Sequence, residues 1–385
     1  MGFRFLFLLA LTIGALLAVG DVRGAGKPTL PLTRNVILVT TDGLRCQEVF
    51  TGAEELLMDG TNGGVKDVKA LRDQFWRSTP NLRRRALMPF FWDFIAHQGQ
   101  VWGNTNRGSS VRVANGLNFS YPGYSELLTG VVDPKIDSND KLPNRNVTVF
   151  EWLNRQPPFK GKCAAFGSWD VFPYIFNRER SGLYLRAGFE PIYEGKVNPR
   201  QELMNTLIQE TTQLYEGVLY DSFLFQGAID YLRHEKPRAI YIGFGETDDA
   251  AHDGRYDRYL HAALRVDRYL QQLWQAVQSI PAYEGKTTLI VTTDHGRGSG
   301  PVEWKSHGQK IAGSEDIWMA VMGPDTPAFG ERATTPVVYQ KQIAATVAAL
   351  LGQNFQAAIP QAADPLSGVI QKPPDEKSHG KNNEP

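Results

Sequence analysis

The chain has 385 residues, and its 41 Lys and Arg balance 41 Asp and Glu, giving a formal net charge of zero. Hydrophobic residues make up 42% and charged residues 21%, a globular balance that excludes wholesale disorder. A mean hydropathy of -0.32 excludes a polytopic membrane protein. Without a charge excess there is no nucleic-acid-binding signature, so a polyanionic substrate would have to be held by local charge such as a bound metal.

Residues 1–25 read as a secretory signal peptide. Arg4 supplies a basic start, Phe5 to Val19 is apolar apart from Thr12 and Gly14, and Ala18-Val19-Gly20 offers small residues for cleavage. The run falls short of the roughly 20 residues of a spanning helix. Export to a periplasm or the medium is therefore expected, with a mature N-terminus between Asp21 and Gly26 and no stable membrane span after cleavage. Residues 26–359 are expected to form one α/β domain. Pro360 to Pro385, rich in Pro, Lys, Asp, Glu and Asn, reads as a flexible tail. The two cysteines, Cys46 and Cys163, make no disulfide scaffold; an exported chain could still pair them, and the preferred reading is of two small buried residues. The sequence carries no signal for an oligomeric state.

Within the body, Val36 to Thr41 is an unbroken β-branched run of the kind found in buried parallel strands. Phe50 to Arg85 lacks a strong pattern and reads as an insertion over the functional edge. Helices are expected at Phe90 to His97, Val149 to Asn154, Leu203 to Tyr215, Ser222 to Leu232 and Gln340 to Leu351. A further helix shows one apolar face through Tyr259, Ala263, Val266, Leu270, Leu273 and Val277. Ala239 to Phe244 and Thr288 to Thr293 are two more strong strands, with Cys163 to Phe166 and Asp316 to Met322 as weaker ones. Strands alternating with helices predict an α/β fold, a mostly parallel central sheet with helices on both faces.

The three strong strands end alike. The first runs into Asp42-Gly43, the second reaches Asp248 with His252 four residues on, and the third runs into Asp294-His295-Gly296. The carboxyl ends of parallel strands line one edge, where ligands bind. Each motif alone reads as turn or cap chemistry, but three carboxylates gathered at one rim would repel unless cations lay between them. Ser306-His307-Gly308 supplies a sixth side chain. Carboxylates with neutral imidazoles suit Zn²⁺, with Mn²⁺ less favoured.

These motifs, with Phe119-Ser120-Tyr121-Pro122-Gly123-Tyr124 and the Thr129-Gly130 that ends the following helix, resemble the alkaline phosphatase superfamily. The likeness is greatest to its nucleotide pyrophosphatase/phosphodiesterase branch, the type I phosphodiesterases. The resemblance implies an alkaline-phosphatase-like fold and two divalent metal ions. It implies Asp248, His252 and His307 on one ion, and Asp42, Asp294, His295 and the Ser120 oxygen on the other. It also makes Ser120 the nucleophile, so that the expected activity is hydrolysis of a small phosphoester, a diester or a monoester, through a covalent phosphoserine. Ser120 could instead cap the helix starting near Pro122. The sequence departs from that branch in having Gly123-Tyr124 where Asn-His is usual, and Ser where Thr is commoner.

Substrate contacts are expected from Arg107 or Arg112, either of which could hold a phosphate oxygen bidentately. The branch also uses an Asn downstream of the nucleophile helix, here Asn139, Asn144 or Asn146. The Arg83-Arg84-Arg85 run reads as a solvated face. Asn118-Phe-Ser and Asn146-Val-Thr fit the glycosylation pattern. Alternatives are a phosphotransferase or mutase using the same intermediate, a sulfatase-like hydrolase (though no Cys/Ser-x-Pro-x-Arg motif is present), and a catalytically silent metal-stabilised binding protein.

Overall fold

A computed structural model describes residues 32–371, so the expected signal peptide at 1–25 lies outside the described residues. The strands are β1 (Asn35–Thr41), β2 (Gln100–Trp102), β3 (Val111–Arg112), β4 (Cys163–Gly167), β5 (Tyr184–Ala187), β6 (Ala239–Phe244), β7 (Thr287–Thr292), β8 (Asp316–Ile317), β9 (Met319–Met322), β10 (Gly330–Glu331) and β11 (Val338–Tyr339). Eight of them form one sheet in the order β10-β2-β9-β7-β1-β6-β4-β5, and β11-β3-β8 form a small second sheet. In the large sheet β9 runs antiparallel to both neighbours, while every other pairing is parallel. The expected mostly parallel sheet is therefore observed, with one reversed strand.

Alternation along the strands divides the core. Ile37, Val39, Ile240, Ile242, Leu289 and Val291 join one cluster with helices Asp221–Glu235 and Tyr256–Gln278. Val36, Leu38, Tyr241 and Ile290 join the other with helices Ser120–Thr129, Val149–Arg155 and Gln342–Leu350. Two-sided burial is why these strands read as continuous apolar runs.

Several expectations are corrected. The single strand expected over Asp316 to Met322 divides into β8 and β9. Its alternation continues through Trp318, but its pairing partner changes from β3 to β2 and β7. The helix expected from Leu203 to Tyr215 is Pro199–Glu210, begun by an Asn198/Gln201 capping box, and Thr211 to Tyr215 lie outside it. Residues 50–85, read as an insertion, carry core contacts of their own: Leu57, Leu71 and Phe75 are buried in the same cluster as Tyr256 and Tyr259. The tail expected from Pro360 is packed through its described part. Ala362, Leu366 and Val369 are buried, and the Leu366 amide donates to Thr346 Oγ1 at 2.7 Å. Pro365 and Gly368 interrupt these three apolar residues, so sequence alone reads them as tail. Cys46 and Cys163 are unpaired, as expected of small packed residues.

Candidate active site

Strand register places the chemistry. Thr41 lies opposite Phe244, and Thr40 opposite Thr292. The residues that follow each strand, Asp42, Gly245 to Asp248, and Asp294-His295, are thus level at one sheet edge. Gly43 turns the chain there with φ +58°, and its amide donates to Asp294 Oδ1 at 3.1 Å.

The six expected metal-binding side chains converge. His295 Nε2 lies 3.2 Å from Asp42 Oδ1, 3.4 Å from Asp294 Oδ2 and 3.8 Å from Asp248 Oδ1. His252 Nε2 lies 3.2 Å from Asp248 Oδ2 and 3.0 Å from His307 Nε2. Two groups have the spacing of metal ligands, Asp42–Asp294–His295 and Asp248–His295–His307. His295 belongs to both, so it stands between the two ligand sets that the resemblance separates.

The donor set fits cations. Asp42 Oδ1 and Asp294 Oδ2 are buried without a hydrogen-bond partner, a costly state for carboxylate oxygens unless a cation meets them. His295 Nδ1 donates to the Gly296 carbonyl at 2.9 Å and His307 Nδ1 to the Asn118 carbonyl at 3.3 Å. A carbonyl can only accept, so both rings carry the proton on Nδ1 and aim the Nε2 lone pair at the carboxylates, the arrangement typical of ligating histidines. Burial, with Asp248 nearby, pushes the Asp42 carboxyl well above its usual range. Burial and Asp42 do the same to Asp294. Burial also works to raise Asp248, but Arg297 and the two imidazoles carry it well below that range. His307 is pushed down to about 2 by burial and by His295, so it stays neutral and able to ligate.

Ser120 is the first residue of its helix, and Phe119 is the N-cap without a side-chain cap. The capping role weighed for Ser120 is therefore not taken. Its buried Oγ instead lies 3.4 Å from His295 Nε2, among the ligands. Every residue of Ser120–Thr129 is buried. The helix is anchored by Glu126, whose carboxylate accepts from the Ala114 and Asn115 amides at 3.0 and 2.9 Å. Asn118, two residues before Ser120, is buried in the left-handed region at φ 55°, which leaves its sequon inaccessible.

Three residues that sequence reasoning passed over complete the site. Tyr124 OH donates to Asp42 Oδ2 at 2.9 Å. Gly123 leaves room for the Asp294 backbone, since a Cβ there would lie 2.5 Å from the Asp294 carbonyl oxygen. The departure from Asn-His thus has a local reason. Arg297, fully buried, contacts Asp248 Oδ1, and no motif signalled it beyond its place after Asp294-His295-Gly296.

The substrate contacts fare differently. Arg107 is paired with Glu331 at 3.0 Å and Arg112 with Asp316 at 3.2 Å, so neither has its charge free at the rim. Asn144 is buried and binds Ser125 Oγ at 3.1 Å and the Asn146 amide at 2.9 Å, which makes it a strut of the loop. Asn146 binds Asp133. Asn139 is exposed and accepts from the Tyr121 amide at 3.0 Å, beside Ser120. The Arg83 to Arg85 run is engaged by Trp76, Trp92, Glu331 and Asp93.

Residues 62–352 match the family model described as type I phosphodiesterase / nucleotide pyrophosphatase. The chain belongs to this family. The match takes in Ser120 and every expected ligand except Asp42, which precedes it. The human protein "GPI ethanolamine phosphate transferase 1" is 23% identical over 295 residues, 73% of this chain and 25% of its own length. A "2,3-bisphosphoglycerate-independent phosphoglycerate mutase" of Gracilaria tenuistipitata var. liui is 30% identical over 73 residues, 19% of this chain and 13% of its own. The chain thus spans a quarter or less of these relatives. Among solved structures, a mutant of the alkaline phosphatase PafA has a TM-score of 0.57 at 10% identity, covering 90% of this chain and 100% of that one. A 2-O GAG sulfatase has 0.51 at 14% identity, covering 90% and 76%. Both share the alkaline-phosphatase-like fold. Among the described residues no helix is long and apolar enough to cross a membrane.

Proposed function

We propose that this protein is an exported, two-metal hydrolase of small phosphoesters, with Ser120 as its nucleophile. The observation that carries the reading is Ser120 Oγ at the head of a buried helix, 3.4 Å from the His295 Nε2 that also faces the unpartnered Asp42 Oδ1 and Asp294 Oδ2. Asp42, Asp294, His295 and Ser120 would hold one divalent cation, and Asp248, His252 and His307 the other. When bound, zinc ions would supply an acidified serine hydroxyl and positive charge for the phosphoryl oxygens. The chain's own part is placement. Tyr124 fixes Asp42, the Asn118 and Gly296 carbonyls fix the two imidazoles, and Glu126 fixes the helix that presents Ser120. Attack by Ser120 Oγ on phosphorus would expel the ester alcohol and leave a phosphoserine, which water would hydrolyse. The helix N-terminus beneath Ser120 adds its own favour for a phosphate.

A second reading has support of its own, since a relative matching 73% of this chain bears the name of a phosphate transferase. In that reading an acceptor alcohol, rather than water, takes the phosphoryl group from Ser120.

Ser120→Ala is expected to lower turnover of p-nitrophenyl phosphate and bis-p-nitrophenyl phosphate at least about a thousandfold, with both metals retained on elemental analysis. Activity within a few-fold of wild type would refute the nucleophile. Product analysis of p-nitrophenyl phosphate turnover without and with an added alcohol separates the readings, because a hydrolase releases inorganic phosphate at full rate in water alone whereas a transferase turns over only when the alcohol is present.

A further inference from the structure

Arg297 stands where three strand-end loops and the His307 loop meet. It follows Asp294-His295-Gly296 and is fully buried. One nitrogen, Nη1, donates to the Lys305 carbonyl at 2.7 Å, two residues before His307. The other, Nη2, donates to the Asp248 carbonyl at 3.1 Å and to Asp248 Oδ1. The loop after β1 is shaped around this pair. A Cβ on Gly43 would lie 2.8 Å from both Arg297 Nε and Asp248 Oδ1. Two backbone carbonyls hold the guanidinium independently of the carboxylate, so it stays in place whatever binds Asp248.

A fully buried arginine touching a metal-ligating carboxylate opposes the incoming cation, yet it also supplies the charge that the carboxylate lacks without one. We infer that Arg297 is a built-in counter-ion, a positioning residue that keeps the Asp248–His307 half of the site assembled when its metal is absent. The inference rests on the two-metal reading. It divides the rim in two. The Asp248 carboxylate contacts Arg297 directly, whereas Asp42 Oδ1 and Asp294 Oδ2 have no hydrogen-bond partner. The first half is therefore preformed and exchanges its ion with little loss of structure, while the second depends on its ion.

The test is the melting temperature of the full chain, zinc-saturated and after chelation, for wild type, Arg297→Gln, Arg297→Met and Arg297→Lys. The quantity read is the gap between the two states, with zinc content measured alongside. The neutral variants are expected to widen the gap by about 3 °C or more, because zinc then supplies the only charge for Asp248. Arg297→Lys keeps a cation and is expected to stay near the wild-type gap. An unchanged or narrower gap in the neutral variants, or a lysine gap as wide as theirs, overturns the inference. Neutral variants that stay unfolded even with zinc overturn it too, since Arg297 would then be a purely structural keystone. Failure of the two-metal reading looks different, because wild type itself would then bind no zinc and show no gap.

Discussion

Gly123 gives the sharpest test of how Ser120, the proposed nucleophile, is placed. Inside a helix, Gly→Ala ordinarily stabilises by about 1 kcal/mol. Here the methyl group would lie 2.5 Å from the Asp294 carbonyl oxygen, 3.2 Å from its carbon and 3.5 Å from its Cβ. Ordinary contact begins near 3.4 Å, so helix and strand end must part by about 0.9 Å. Neither side yields easily. Every residue of Ser120–Thr129 is buried, and the Asp294 carbonyl is held by Gln340 Nε2 at 2.7 Å. The displacement therefore reaches Ser120, three residues up the helix, and shifts it against His295 and Asp294. A misplacement near 1 Å costs about a hundredfold in rate. Gly123→Ala is expected to lower kcat for bis-p-nitrophenyl phosphate by about that factor, with little change in KM and a melting temperature at or below wild type. Steady-state kinetics beside a thermal melt decide the matter. Activity within about threefold of wild type, or the rise in melting temperature that helix propensity alone would give, refutes the close-approach argument.

Two further outcomes follow from buried partners. Tyr124→Phe removes the hydrogen bond to Asp42 Oδ2 without changing the ring's packing, and should weaken binding of one of the two ions by about tenfold; zinc titration of the apo protein reads this, and an unchanged affinity counts against the role. Glu126 gives a pH signature. Burial, opposed by the Ala114 and Asn115 amides, raises its carboxyl from 4.5 to about 7. The folded state then holds this proton more tightly than the unfolded chain, so its contribution is fully present below about pH 4.5 and is lost as pH rises to about 7. Measured by denaturant unfolding, the stability of Glu126→Gln relative to wild type should climb by about 3 kcal/mol over that window, and a fall would reverse the assigned direction.

The legible part of the site is the part encoded next to strands. Asp42, Asp248 and Asp294 could be placed together because each follows a run whose two-sided burial marks it as a central parallel strand, and parallel strands end at one edge. Ser120 was legible only through its surrounding pattern, since nothing about an isolated serine distinguishes a nucleophile from a helix cap. The arginines show the opposite case. Arg107 and Arg112 seemed free because their partners, Glu331 and Asp316, lie 224 and 204 residues away. Arg297 carries no local signal because its carboxylate partner lies 49 residues back on another loop.

The sequence by itself determined the α/β class, the mostly parallel sheet and the gathering of three aspartates and three histidines at one rim. All of these follow from short-range periodicity and from the chemistry of residues adjoining each strand. Tertiary structure decided how those ligands sit. The register of β1 with β6 and β7 levels them, Gly123 admits the Ser120 helix against Asp294, and His295 falls between the two candidate ligand groups. It also turned β9 against its neighbours and packed residues 360–371 onto the core. Register, close approach and ion pairing are relations between residues far apart in the chain, and no local pattern records them.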